Sequence, residues 1–292
     1  MERLKASDFS QELLDLYDFY AHGMITKREF LDRAGKFTVG GVTALALLES
    51  LSPNYALANQ VDPNDPDIEA EMVTYPSPEG HGTVNAYQVT PAGGATAAVL
   101  VVHENRGLNP YIEDVTRRVA KAGFIGFAPD GLTSLGGYPG NDEDGKAMQR
   151  TLDRVKLMSD FLAAFEHLNG RDGIANVGAV GFCYGGGVCN ALAVAYPELA
   201  ASVPFYGRQA AAEDVPRIQS PLMLHFAELD QRINEGWPAY EAALKEHGKE
   251  FTAHMYPGVN HGFHNDTTPR YDAEAAALAW ERTIAFFDEK LT

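Results

Sequence analysis

Residues 177–186 of the chain read VGAVGFCYGG, and this segment is the most informative one about the architecture. An apolar run ends at Gly181, a cysteine, Cys183, follows between glycines, and a helix-like segment begins at Tyr184 or Gly185. The pattern is that of a sharp strand-to-helix turn, G-x-S-x-G, with cysteine in the place of serine. Flanking glycines remove side chains that would clash at such a turn, and a helix N-terminus favours a thiolate. We therefore predict that Cys183 is a nucleophile.

Two other interpretations of this turn remain open. Cys183 could be a buried structural residue beside a tight glycine-rich turn. A dinucleotide-binding loop fits less well, because the spacing is not G-x-G-x-x-G and the strand lies far from the start of the domain. Cys189 is predicted to be a small buried residue of the same helix. Six helical residues span about 9 Å, so the two cysteines should not form a disulfide.

The segments on both sides of the turn alternate between strand-like and helix-like patterns from residue 71 onward. Alternation of this kind predicts an α/β fold with a mostly parallel sheet and helices on both faces. The predicted strands are 84–89, 97–103, 124–128, 177–181, 201–205, 221–226 and 251–256, and the predicted helices are about 111–122, 146–168, 185–196, 236–247 and 272–289.

An acid and a base follow the nucleophile in the order expected for such a fold. Asp230 lies just past the strand 221–226, and His261 lies in a loop after the strand that ends at Tyr256. Both therefore belong to the sheet edge where parallel α/β sheets bind ligands. We predict a triad of Cys183, Asp230 and His261. Alternatives are Glu228 as the acid, Asp230 as a helix N-cap, and His264 or His254 as the base.

The sequence predicts neither a metal site nor a cofactor. His103 and His225 lie in apolar strands and are interpreted as structural. Motifs with close histidine and acidic spacing, such as H-E-x-x-H, do not occur. Acyl transfer by a cysteine triad needs only side chains and backbone amides.

Composition narrows the range of partners. The 292 residues include 40 acidic and 23 basic residues, which gives a net charge of −17. Nucleic acids and anionic membrane surfaces repel such a polyanion, so neither is expected as a partner. A length of 292 residues suits one large α/β domain with a short extension.

Residues 1–60 form a segment of a different kind. The sequence T-K-R-E-F-L at 26–31, the apolar run 37–48 and Ala56-Leu57-Ala58 resemble the three parts of a twin-arginine secretory signal. The match is imperfect, because Lys27 replaces the first arginine and Glu49 closes the apolar run. The run is also too short to span a bilayer as a helix.

The alternative for this segment is a helical arm that packs on the main domain or on a second subunit. Apolar residues fall at helical spacings between residues 13 and 20, namely at Leu13, Leu14, Leu16, Tyr17 and Tyr20. We divide the chain into this arm or signal (1–60) and an α/β domain (61–292). A working signal predicts a periplasmic or exported protein, and otherwise a cytoplasmic one. An arm could mediate a homodimer.

Residues 70–292 resemble the dienelactone hydrolase family, the carboxymethylenebutenolidase-like branch of the α/β-hydrolase superfamily. The resemblance rests on H-E-N-R-G at 103–107, A-P-D at 128–130, the G-F-C-Y-G-G turn, and H-G-F at 261–263. It implies that Glu104 holds the resting thiol and takes its proton when substrate enters, with a structural carboxylate as the alternative. It also implies an oxyanion hole made by the backbone N–H groups of Tyr184 and Asn105.

One departure from the family bears on the substrate. The founding type has an arginine four residues after the catalytic histidine to bind a substrate carboxylate, and this chain has Asn265 there. Arg106 and Arg270 are the candidate replacements, although each could instead be salt-bridged within the protein. Candidate pocket walls are the aromatic residues Tyr138, Tyr206, Trp237 and Phe263, for which packing in the core is the alternative.

The resulting hypothesis is hydrolysis of a small ester or lactone through an acyl-thioester on Cys183. A broad-specificity thioesterase or aryl esterase is the nearest alternative, because a good leaving group suits a thiol nucleophile. A protein that uses Cys183 as a redox sensor or in non-catalytic binding is an alternative of another class.

Overall fold

The structure is a computed structural model that describes residues 4–38 and 41–292. A single eight-stranded sheet forms the centre of the part that it describes. The strands, in chain order, are β1 (Ile68–Ser77), β2 (Gly82–Pro91), β3 (Ala97–Val102), β4 (Ile125–Pro129), β5 (Asn176–Phe182), β6 (Ala201–Phe205), β7 (Leu222–Ala227) and β8 (Phe251–Tyr256).

The strand order in the sheet is β1-β2-β4-β3-β5-β6-β7-β8. Strands β1 and β2 are antiparallel to their neighbours, and the pairs from β4 to β8 are parallel. The carboxyl ends of β3 to β8 therefore meet at one edge of the sheet, which is where α/β proteins build their sites.

Helices cover both faces of this sheet. Helix α4 and helix α10 contribute to the buried cluster on one face, and α6, α7 and α9 contribute to the cluster on the other. The arrangement confirms the predicted α/β class with a mostly parallel sheet. The helices are α1 (Gln11–Ala21), α2 (Lys27–Ala34), α3 (Ala44–Leu51), α4 (Pro110–Lys121), α5 (Asp142–Thr151), α6 (Arg154–Asn169), α7 (Tyr184–Ala195), α8 (Gln231–Asn234), α9 (Trp237–Glu246) and α10 (Ala273–Leu291).

Two elements differ from the sequence-based expectation. The predicted helix 146–168 is two helices, because Asp153 accepts hydrogen bonds from the amides of Val155 and Lys156 and so caps a new helix, α6. Strand β1 was not expected, since most of its side chains are exposed and it lies at the sheet edge. Residues 68–72 do alternate between apolar and acidic side chains, but they directly follow the Asp- and Pro-rich stretch 62–67, which favours a loop.

The N-terminal arm, residues 4–38 and 41–57, is largely helical and has a small core of its own. Its buried side chains include Tyr17, Phe30 and Leu51. Thr26 and Glu29 form a capping box, so T-K-R-E-F-L starts helix α2. Residues 39–40 of the apolar run 37–48 lie outside the described residues. Among the described helices, each is too short or too polar to cross a membrane.

Candidate active site

Cys183 stands at the turn between β5 and α7 with φ 58° and ψ −110°. Positive φ is strained for a residue with a side chain, and such strain is typical of functional sites. The glycines around it are required by close packing. A Cβ on Gly181 would lie 2.2 Å from the carbonyl oxygen of Gly185, and one on Gly185 would lie 2.2 Å from that of Val102. The turn thus presents the Cys183 sulfur at the carboxyl edge of the sheet.

Asp230 and His261 meet at the same edge, after β7 and β8. His261 Nδ1 donates to Asp230 Oδ2 at 2.5 Å, and both side chains are almost fully buried. Asp230 also caps the short helix α8, so the N-cap interpretation and the acid interpretation describe the same residue. The alternative acid, Glu228, accepts instead from the amide of Gly258 and does not orient the histidine.

The other histidines near the edge are engaged elsewhere. His264 bonds through Nδ1 to the hydroxyl of Tyr111 and is fully buried, which lowers the pKa of His264 well below its usual range. His254 lies partly exposed within β8. His225 forms hydrogen bonds with two buried hydroxyls, and His103 Nε2 accepts a hydrogen bond from the backbone N–H of Gly131. Among the described residues, none of these four histidines pairs with a carboxylate as His261 pairs with Asp230.

A residue of the arm, His22, lies next to Cys183. Its Nε2 lies 3.2 Å from Cys183 Sγ, and its ring stands edge-on to the ring of His261 with centroids 4.6 Å apart. His22 Nδ1 lies 2.8 Å from the carbonyl oxygen of Asp18 and 3.2 Å from Asp18 Oδ1. The sulfur is thus flanked by two histidines, and the Nδ1 atom of each lies next to an aspartate, Asp18 or Asp230. No sequence pattern points to His22, because a single histidine in a turn carries no motif.

These neighbours set the charge of the site. Burial opposes ionisation of Cys183, but the imidazoles of His22 and His261 outweigh it and hold the pKa of the thiol well below its usual range. Burial likewise opposes the charged form of His261, yet the nearby charges of Asp230, Asp18 and Cys183 raise the pKa of His261 to about 10. The pKa of His22 is raised by Cys183 and Asp18 against the effect of burial. These shifts, taken together, favour a thiolate beside imidazolium.

The carboxylate of Glu104 lies after β3 and is buried. It accepts from Asn265 Nδ2 at 3.2 Å, and Arg106 Nε lies 3.7 Å away. Its described polar partners are therefore Asn265 and Arg106, while His22 and His261 flank the sulfur. This geometry favours the structural alternative for Glu104 in the resting state. The side chain of Asn105 donates to the carbonyl oxygen of Ala21 and so fastens the arm to the loop after β3.

The two candidate substrate-binding arginines already have carboxylate partners. Arg106 is buried and bonds to Asp142 Oδ2 at 2.5 Å. Arg270 is buried and bonds to Asp18 Oδ1 at 3.1 Å. The geometry favours the salt-bridged alternative for both, and the hydroxyl of Tyr138 also donates to Asp142.

The candidate pocket aromatics divide into two groups. Tyr206, with φ 37°, packs against the ring of His261 at a centroid distance of 4.8 Å, with the two ring planes tilted by 56°. Phe263 is fully buried against Tyr206 and the surrounding core, so it packs behind Tyr206 and does not line a pocket. Trp237 packs against Phe226 on the other face of the sheet and is not part of the site.

The described residues contain one group with the donor set of a metal site. His22, Cys183 and His261 each offer one atom to a cluster in which all three atoms lie within 4.8 Å of one another. The sequence did not predict it, because the three residues are far apart in the chain. Cys183 and Cys189 are both free, as predicted from their spacing.

Comparison with known proteins agrees with this architecture. Residues 84–291 match the family model described as dienelactone hydrolase family, and residues 1–37 match a second one described as YqhI-like. A solved dienelactone hydrolase-like promiscuous phosphotriesterase, P91, from metagenomic libraries aligns with a TM-score of 0.66 at 24% identity, over 77% of this chain and 100% of that one.

Two curated relatives are similar in sequence. A Saccharolobus solfataricus chain that carries the name carboxymethylenebutenolidase is 30% identical over 241 residues, which is 70% of this chain and 93% of the relative. An Escherichia coli chain named as the hydrolase fragment YghX is 66% identical over 114 residues, which is 38% of this chain and 97% of the relative.

Proposed function

Since the chain belongs to the dienelactone hydrolase family and is a hydrolase, we propose that it cleaves small carboxylic esters or lactones with Cys183 as the nucleophile. The observation that carries the proposal is the alignment of three groups at one sheet edge. Cys183 follows β5, Asp230 follows β7 and His261 follows β8. Asp230 holds His261 Nδ1, which leaves Nε2 of the same ring for the sulfur.

The proposed reaction begins with attack of the Cys183 thiolate on the substrate carbonyl. The backbone N–H groups of Tyr184 and Asn105 stabilise the oxyanion of the tetrahedral intermediate. His261 gives its proton to the leaving alkoxide as the C–O bond breaks, and an acyl-thioester remains. Water then attacks the thioester, its proton passes to His261, and the C–S bond breaks to return the thiolate.

Substrate entry requires the arm to move in this scheme. Cys183 is 7% exposed, and His22 lies where a substrate carbonyl would approach. Two cavities, of about 70 and 270 Å³, lie along the arm. Residues of α1 line both cavities. In this scheme, a shift of α1 opens a path from the cavities to the Cys183 thiol.

An uncharged acyl group fits this site better than a substrate carboxylate. Arg106 is neutralised by Asp142 and Arg270 by Asp18. Binding a carboxylate would require one of these buried pairs to break, which is costly. This favours neutral esters, aryl esters or thioesters over the lactone-carboxylates of the founding family type.

The test compares wild type with Cys183→Ser and with the matched control Cys189→Ser. Each protein is assayed with p-nitrophenyl acetate and with neutral and carboxylate-bearing five-membered enol lactones. Acid-quenched samples are analysed by peptide mass spectrometry for an acyl group on Cys183. We expect turnover and the acyl adduct in wild type and Cys189→Ser, and loss of both in Cys183→Ser. Turnover that survives in Cys183→Ser without an adduct would sink the proposal.

A further inference from the structure

We propose that His22, Cys183 and His261 form a binding site for one zinc-class divalent metal ion, which fastens the N-terminal arm over the nucleophile and suppresses hydrolysis. The binding site stands on geometry alone, whereas the suppression of hydrolysis rests on the proposed function. The ligand is a borderline-soft cation, since two imidazole nitrogens and a thiolate are the donors that such ions prefer.

The spacing of the three donor atoms suits a tetrahedral ion. All three lie within 4.8 Å of one another, and His22 Nε2 is 3.2 Å from Cys183 Sγ. Bonds of about 2.0 Å to nitrogen and about 2.3 Å to sulfur separate tetrahedral ligand atoms by about 3.5 Å. Only small side-chain adjustments are therefore needed. Three protein ligands leave the fourth position for water.

The groups behind the two histidines are those of a metal site. His22 Nδ1 faces Asp18, and His261 Nδ1 donates to Asp230. Carboxylates in this position fix the ring orientation and leave Nε2 free to coordinate. His261 Nε2 is buried and has no hydrogen-bond partner in the described structure. The Cys183 sulfur lies within 4.8 Å of it, and a cation placed between the two groups would satisfy both.

The charges around the cluster also bear on the proposal. Cys183, Asp18 and Asp230 provide negative charge, whereas an Arg232 amino group lies 3.1 Å from His22 Nε2 and opposes a cation. The Arg232 side chain is 27% exposed and has a second partner in Asp18, so it can withdraw while keeping that contact. Coordination requires the thiolate and two neutral imidazoles, so protons held by the imidazoles leave to solvent.

Metal binding would act on both the chemistry and the arm. A sulfur that coordinates a cation is no longer free to attack a carbonyl. Because His22 belongs to the arm and the other two ligands to the sheet edge, the ion would also tie the arm to the site. Removal of the ion by a chelator would release both.

The experiment uses the full-length protein and Co²⁺, whose thiolate complexes have a charge-transfer absorption band, followed by competition with Zn²⁺. Wild type is compared with Cys183→Ser, with His22→Gln and with the matched control His247→Gln, which removes an exposed histidine elsewhere. We expect one Co²⁺ per chain with the thiolate band in wild type and in His247→Gln. Cys183→Ser should lose the band, and His22→Gln should bind about tenfold more weakly or worse.

The outcomes separate this proposal from the proposed function. Absence of a thiolate band in wild type, or equal affinity in wild type and His22→Gln, overturns the metal site. If His22→Gln fails to fold, the wild-type spectrum alone decides. Metal binding together with no ester turnover by the chelator-treated, metal-free protein would leave the site intact and contradict only the proposed function. Ester turnover unaffected by saturating Zn²⁺ would contradict the suppression of hydrolysis.

Discussion

His22 Nε2 lies 3.2 Å from Cys183 Sγ, although 161 positions separate the two residues in the chain. The contact joins the N-terminal arm to the candidate nucleophile. His261 approaches the same sulfur from the sheet edge, so the thiolate has imidazole groups on two sides. Each imidazole stabilises the thiolate, and each is stabilised by it in turn.

We expect His22→Gln to raise the pKa of the Cys183 thiol. The imidazoles hold this pKa well below its usual range, so wild-type alkylation by iodoacetamide should change little between about pH 7 and pH 9. Loss of His22 removes one positive neighbour, and the alkylation rate should then rise with pH in that interval. The shape of the pH profile is the readout, because arm movement changes only the absolute rate.

Cys189 serves as the internal control for that measurement. It is fully buried, and burial alone raises its pKa, so it should not react in the folded protein. Peptide mapping distinguishes the two thiols. An unchanged pH profile in His22→Gln would show that His22 does not stabilise the thiolate.

We expect Asp18→Asn to destabilise the docked arm. Asp18 is 14% exposed and contacts His22, Arg232 and Arg270. Neutralising it removes the carboxylate that pairs with the buried Arg270 in the described part of the chain, and breaking a buried ion pair costs about 3 kcal/mol or more. Urea denaturation should show a lower unfolding free energy, and limited proteolysis should cut the arm faster. Asp15→Asn, an exposed change on the same helix, should alter neither.

Much of this site could be predicted because its parts follow strands. Cys183, Asp230 and His261 each come after an apolar run, and the carboxyl ends of parallel strands meet at one edge. The contact of His22 could not be predicted in this way. It depends on how the arm docks, through contacts such as Asn105 with Ala21, and local sequence patterns carry no information about such long-range packing.

The same reasoning explains the errors in secondary structure. β1 was missed because it directly follows the Asp- and Pro-rich stretch 62–67, which favours a loop, although residues 68–72 alternate between apolar and acidic side chains. The break between α5 and α6 was missed because apolar residues continue on both sides of it. Asp153 is the local signal that ends one helix and caps the next.

We expect Gly185→Ala to destabilise the protein and Gly187→Ala to be tolerated. A Cβ on Gly185 would lie 2.2 Å from the Val102 carbonyl oxygen, which is backbone and cannot give way. Overpacking of this kind costs about 3 kcal/mol. The nearest atom to a Cβ on Gly187 is 3.7 Å away, and alanine gains about 1 kcal/mol over glycine within a helix. Equal changes in melting temperature for Gly185→Ala and Gly187→Ala, relative to wild type, would contradict the close packing at the turn.

We expect Asp230→Asn to lower both the activity and the pKa of His261. In the folded protein the charges of Asp230, Asp18 and Cys183 overcome burial and raise the pKa of His261 from 6.5 to about 10. A raised pKa means that the folded state holds a proton that the unfolded state loses. The stability that this proton contributes is present below about pH 6.5 and is lost as pH rises through about 10.

Asparagine keeps the size of Asp230 but removes its charge, so this pH-dependent stability should shrink in the variant. Urea denaturation of wild type and Asp230→Asn from about pH 6.5 to pH 10 measures the difference. Cys183 contributes with the opposite sign and is coupled to His261, so the measured difference belongs to the pair. Ester turnover should fall about a hundredfold, because the histidine loses its orientation as acid and base. Glu228→Gln is the matched control, since Glu228 bonds to the amide of Gly258 rather than to His261. If Glu228→Gln lost activity while Asp230→Asn kept it, the acid would be Glu228 and the site would have to be reassigned.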